Sequence, residues 1–175
     1  MSAFQRLYRA YGRLLRGFGL ISELATLVMM GLVVANILGR YTFNAPVTGT
    51  LEITESLLVV IIFLSLALTQ YDGGHIRVTL LTRRLPASWT RWLTVLCMLC
   101  GAVFFSWCAY AAWRFALQSW SFNEQEWGTV VFPLYPVKFV VFIGLSMLAV
   151  QFLLDAIAET MMPIKADDER AMESI

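Results

Sequence analysis

The stretch "LEITESLLVVIIFLSLALTQYDGGHIRVTLL", Leu51–Leu81, decides the fold. Leu51 to Tyr71 forms a long apolar run, and about 20 such residues in a helix cross the core of a bilayer. Gly73 and Gly74 follow at once, where glycine supplies the usual left-handed cap past a helix end. His75 then opens a segment with Val78, Leu81 and Leu85 on one face and Arg77 and Arg84 on another, stopped by Pro86. His75 is the only histidine, so a bis-histidine haem site is excluded, and no cysteine lies close enough for zinc. The stretch therefore predicts a capped membrane helix followed by a short amphipathic segment along the membrane surface.

The rest of the chain repeats the pattern. Of 175 residues, 59% are apolar and 14% charged, whereas a soluble domain is about 25% charged. Four spans are predicted, at about 18–39, 51–71, 92–117 and 135–157. Pro46, Pro86, Pro133, Pro136 and Pro163 all fall at or outside helix ends, as the helical hydrogen-bond ladder requires. Trp89 and Trp92 mark one interface and Trp120 and Trp127 the other. The expected fold class is all-α integral membrane, with four transmembrane helices.

Orientation follows from the basic residues. Arg6, Arg9, Arg13 and Arg16 precede the first span; Arg77, Arg83, Arg84 and Arg91 fill the second connection; Lys165 and Arg170 are in the tail. Only Arg40, Arg114 and Lys138 fall on the other side, so the positive-inside rule puts both termini in the cytoplasm. In the lead, Phe4, Leu7, Tyr8, Tyr11, Leu14, Leu15 and Phe18 recur at helical spacing opposite the arginines. This predicts an amphipathic surface helix over 1–17, before a membrane domain at 18–158 and a polar cytoplasmic tail at 159–175. The alternative is that the lead extends the first span. A full span after a basic lead, with no A-x-A-like site, is not a cleavable signal peptide.

Polar groups within a membrane each need an account. Glu23 is expected about one turn inside the first span, near the cytoplasmic face, where it either snorkels or pairs with an arginine such as Arg16, the pair being favoured. Arg40 ends that span, and Glu52 and Glu55 begin the next, so Arg40 is predicted to pair with one of them, within the chain or across to a partner. Gly31, Ala35 and Gly39 form a small-residue stripe that suits close helix packing, as do Cys108, Ala112 and Ala116. The loop from Gln118 to Pro133 sets Glu124, Glu126 and Trp127 among apolar residues, where a soluble partner could land. Cys97 and Cys100 spell CxxC, but with no second pair they read as small packing residues. No metal, cofactor or catalytic site is predicted, and no basic stripe suits nucleic acid.

The chain resembles the small membrane subunit of TRAP transporters, the DctQ-type family of tripartite ATP-independent periplasmic transporters. The resemblance rests on "NILGRYTFNAPVTGTLEITE" (Asn36–Glu55), on "FLSLALTQYDGGHIRVTLLTRRLP" (Phe63–Pro86) and on the four-span plan. By that resemblance Gly39, Arg40, Tyr41, Phe43, Asn44, Pro46, Glu52, Glu55, Gly73, Gly74, His75, Ile76 and Arg77 belong to the family pattern. Thr79 departs from it, since many relatives carry an acid there. The resemblance implies a non-catalytic scaffold in the bacterial inner membrane. Its partners would be a large membrane subunit and a periplasmic substrate-binding protein, and its task sodium-coupled uptake of an organic acid. It also fits the residues, which show no broken helix or inverted repeat of a self-sufficient transporter and no deep polar cluster. Two rivals remain: a stand-alone four-helix exporter acting as a dimer through Glu23, and a membrane redox enzyme using Cys97 and Cys100.

Overall fold

The computed structural model describes residues 3–73, 87–126, 128 and 131–161. They form four helices, α1 (Ala3–Phe43), α2 (Thr50–Tyr71), α3 (Ala87–Ser121) and α4 (Tyr135–Met161). All four are long and apolar enough to cross a membrane. Between α3 and α4 lies one element the sequence did not suggest, a short antiparallel pair of β1 (Gln125–Glu126) and β2 (Phe132–Pro133).

The lead does not form a separate surface helix. It is the first part of α1, which runs unbroken from residue 3 to residue 43, so the alternative, an extended first helix, is what forms. The reason is packing. The apolar face of the lead lies on protein: Leu15 is fully buried with Ala67 of α2 and Leu148 of α4, ringed by Tyr11, Tyr71, Phe105 and Phe152. The Tyr11 hydroxyl also donates to the Met147 carbonyl at 2.6 Å.

Local chemistry sets the other boundaries. α1 ends in a turn where Ala45 N–H donates to the Gly39 carbonyl at 3.0 Å and Asn44 takes φ 51°. The Asn36 side chain accepts from Val47 N–H at 3.0 Å. Gly49, at φ 81°, then opens α2. α2 closes as the sequence suggests, on left-handed Gly73 at φ 74°.

α1 packs on α2, α2 on α4 and α4 on α3, so the helices stand in a row with α1 and α3 at its ends. α2 and α4 meet closely because Gly144 lies against the Phe63 carbonyl, where a Cβ would collide. On α3 the buried stripe is Val95, Ala102, Ala109 and Ala116, a seven-residue repeat that suits a shallow left-handed crossing. Along the helix axes, the turn end is where α1 turns into α2, and the lead end is where Tyr8 lies.

Candidate functional site

At the turn end the family-pattern residues divide into two groups. Gly39, Asn44 and the neighbouring Asn36 and Gly49 build the turn; a Cβ on Gly39 would come within 2.7 Å of the Ala45 carbonyl oxygen. Arg40, Tyr41, Phe43 and Pro46 are exposed, Tyr41 at 84% and Phe43 at 78%. The turn thus holds two aromatic rings and a guanidinium outward.

The pairing of Arg40 with Glu52 or Glu55 does not form within the chain. Glu55 is exposed, and Glu52 turns the other way. Glu52 is only 4% exposed and lies in the first turn of α2, where a carboxylate suits the helix dipole. It packs on Gly128 of the loop between β1 and β2, so closely that a Cβ there would collide with Oε1. The α3–α4 loop therefore folds back over the start of α2.

Glu124 is engaged as a strut of that loop. Its backbone bonds Ser119 and Leu134, and its carboxylate pairs with Lys138, whose ammonium also sits 3.8 Å above the Phe115 ring. The Lys138 ammonium holds the Glu124 carboxyl below the usual carboxylate range. Beside it an open groove of about 520 Å³ is lined by Phe115, Gln118, Phe122 and Gln125 among others. The Glu126 backbone pairs with Phe132, while its side chain and Trp127 lie outside the described residues. So do Gly74, His75, Ile76 and Arg77, and with them the predicted amphipathic segment.

At the lead end there is a polar cluster that the sequence reading missed. The Asp155 carboxylate on α4 accepts from the Tyr8 hydroxyl at 2.9 Å, the Gln151 amide at 2.7 Å and the Gln70 amide at 2.8 Å. Gln151 is fully buried, and Tyr8 stacks on Tyr71 with centroids 5.1 Å apart. One carboxylate thus ties α1, α2 and α4 together. The available signal was Gln151 and Asp155, four apart on one helix face inside an apolar run.

Glu23 is not paired with Arg16 in the structure. Two contacts set α1 against α2, Gly12 beside the Tyr71 ring and the Ser22 hydroxyl on the Ile61 carbonyl at 2.8 Å, and Asn36 on Val47 fixes the turn between them. Ile61 is the middle of α2, about 15 Å from either end at 1.5 Å per residue. Glu23, next to Ser22, therefore lies level with the middle of α2. Its side chain is exposed, and no hydrogen bond or ion pair joins it to Arg16 or to any other described residue. A carboxylate at mid-bilayer costs about 2.5–3.5 kcal/mol on insertion scales.

Among the described residues, the small-residue stripe of α1 packs against no other helix. Gly31 has nothing within 4 Å of an added Cβ, Ala35 is exposed, and Gly39 serves the turn. Of the cysteines, Cys97 and Cys100 are exposed on α3 and Cys108 is half-buried; all are unpaired. Among the described residues no three His, Cys, Asp or Glu side chains gather as a metal site would require.

Four apolar helices in a row, with connections that carry the shaped surfaces, define a multi-pass membrane protein. Residues 29–161 match the family model of tripartite ATP-independent periplasmic transporters, DctQ component, and the chain belongs to that family. It is thus a small-subunit component of a TRAP transporter. No curated protein sequence matches the chain. The match takes in the turn, α2, α3 and α4; Tyr8 and Glu23 lie before it.

Proposed function

We propose that this chain is a scaffold: it holds the large membrane subunit of its transporter and helps receive the periplasmic substrate-binding protein, for sodium-coupled uptake of an organic acid. It sits in the bacterial inner membrane with both termini cytoplasmic, which makes the turn end periplasmic. The main support is the division of the family pattern at that end. Gly39 and Asn44 shape a turn whose exposed Arg40, Tyr41 and Phe43 make no contribution to the chain's own core. Exposed aromatic and arginine side chains are typical of protein contacts. The basic residues of the lead, second connection and tail support the orientation.

The exporter reading gains the depth of Glu23 but lacks a cavity for it, since that side chain lies on an outer face. The experiment is uptake by proteoliposomes with the large subunit, the binding protein and a sodium gradient. Uptake should need this chain. Tyr41→Ala with Phe43→Ala should lower it and raise the binding-protein concentration needed for half-maximal rate. Full uptake without this chain would reject the scaffold role.

A further inference from the structure

We infer that the face of α1 bearing Glu23 is the seam with the large membrane subunit, and that Glu23 meets a Lys or Arg side chain of that subunit inside the bilayer. This rests on the scaffold reading and adds to it the face and the contact. The first ground is depth. The Ser22–Ile61 hydrogen bond sets Glu23 level with the middle of α2, and the middle of a membrane-crossing helix is a level at which lipid tails offer a carboxylate neither water nor a donor. The second is the lack of a partner among the described residues. On α1 no Lys or Arg lies between Arg16 and Arg40, and α2 has none. Arg114 is on α3, at the far end of the row.

A second copy of this chain does not answer the need. A parallel copy packed on this face would bring another Glu23 to the same level, and like charges there repel. Lipid does not answer it either, because Glu23 lies within an exposed apolar surface that includes Leu20, Leu24 and Leu27. What complements an acidic side chain at that depth is a Lys or Arg on another membrane helix, as intramembrane ionisable groups generally find. One and two turns further along the same face, Leu27 is exposed and Gly31 is open, so an approaching helix would meet no bulky side chain at Gly31.

The test uses the full chain, tagged and expressed with the large subunit, extracted in mild detergent. Wild type should bring the large subunit down. Glu23→Lys should lower its recovery at least about ten-fold, equivalent to about 1.4 kcal/mol, and Glu23→Gln should lower it by less. A photo-crosslinking residue at Leu27 should join the large subunit, while one at Trp107, exposed on α3, should not. The Leu27 arm reads the face even if Glu23→Lys fails to accumulate. Crosslinking at Trp107 but not Leu27, or wild-type recovery with both Glu23 variants, would overturn the seam and leave the scaffold reading standing. If the wild-type chain brings down no large subunit, the scaffold reading itself falls, and the seam with it.

Discussion

Gly31 and Gly39 sit two turns apart on α1 and do different things. An added Cβ at Gly39 would meet the Ala45 carbonyl oxygen at 2.7 Å, while one at Gly31 would meet nothing within 4 Å. Gly39→Ala should therefore destabilise the isolated subunit by about 1–3 kcal/mol, as crowding a packed site does. Gly31→Ala should be neutral or stabilise by up to about 1 kcal/mol through helix propensity. Thermal melting of the purified subunit in detergent checks both, and the reverse order would show that the turn is not built around Gly39. Glu124 makes a pH prediction. Its carboxyl is held low in the folded state by Lys138, so its contribution is present above the unfolded pKa and is lost as pH falls through the folded value. The melting temperature should drop as pH falls below about 4–5, near the ordinary Glu range. Glu124→Gln should flatten that drop; an equal drop in the variant would assign it to other carboxylates.

Among the elements, α4 carries the most interior work, lying between α2 and α3 with Asp155 as its polar anchor. Asp155→Ala should cost about 1–3 kcal/mol, because it takes the acceptor from the Gln70 amide and the Tyr8 hydroxyl and leaves the buried Gln151 amide only its long bond to Tyr8. Tyr8→Phe removes one interhelical bond and should cost about 0.6 kcal/mol, at most about 1.7 in a membrane setting. Melting of the two single variants and the double variant gives their coupling; strict additivity would mean that Tyr8 and Asp155 do not act together. The elements were largely legible in the sequence, since apolar runs, prolines and Gly73 mark where helices begin and stop. The polar cluster was not, because Tyr8, Gln70 and Asp155 come from three helices and meet only in the tertiary packing. The β pair was not either, for two-residue strands are too short to show an alternating pattern. The level of Glu23 against α2 was not legible either, because Gly12 and Ser22 set that register through contacts with Tyr71 and Ile61 on another helix.

For the whole molecule, the order of the row matters more than the number of spans. The surfaces at the turn end come from both connections, and Glu52 with Gly128 joins them across the α2–α4 boundary. The site was legible in part: the pattern residues picked out the turn, but not which of them face inward. The row also has an assembly consequence. Its outer contacts, α1 with α2 and α3 with α4, are between sequence neighbours, and the two hairpins meet mainly along α2 and α4, with Tyr8, Tyr11 and Leu15 of α1 also reaching α4. Each hairpin can insert as a unit before the two dock, as helices formed in lipid associate afterwards. A gene cut between residues 73 and 87, expressed as two pieces, should give halves that reassemble and co-purify. Gly144→Leu, placed against the Phe63 carbonyl, should separate them while leaving each half inserted. The small subunit would then be two modules fastened along one line, and a split form would report directly on how firmly that line holds.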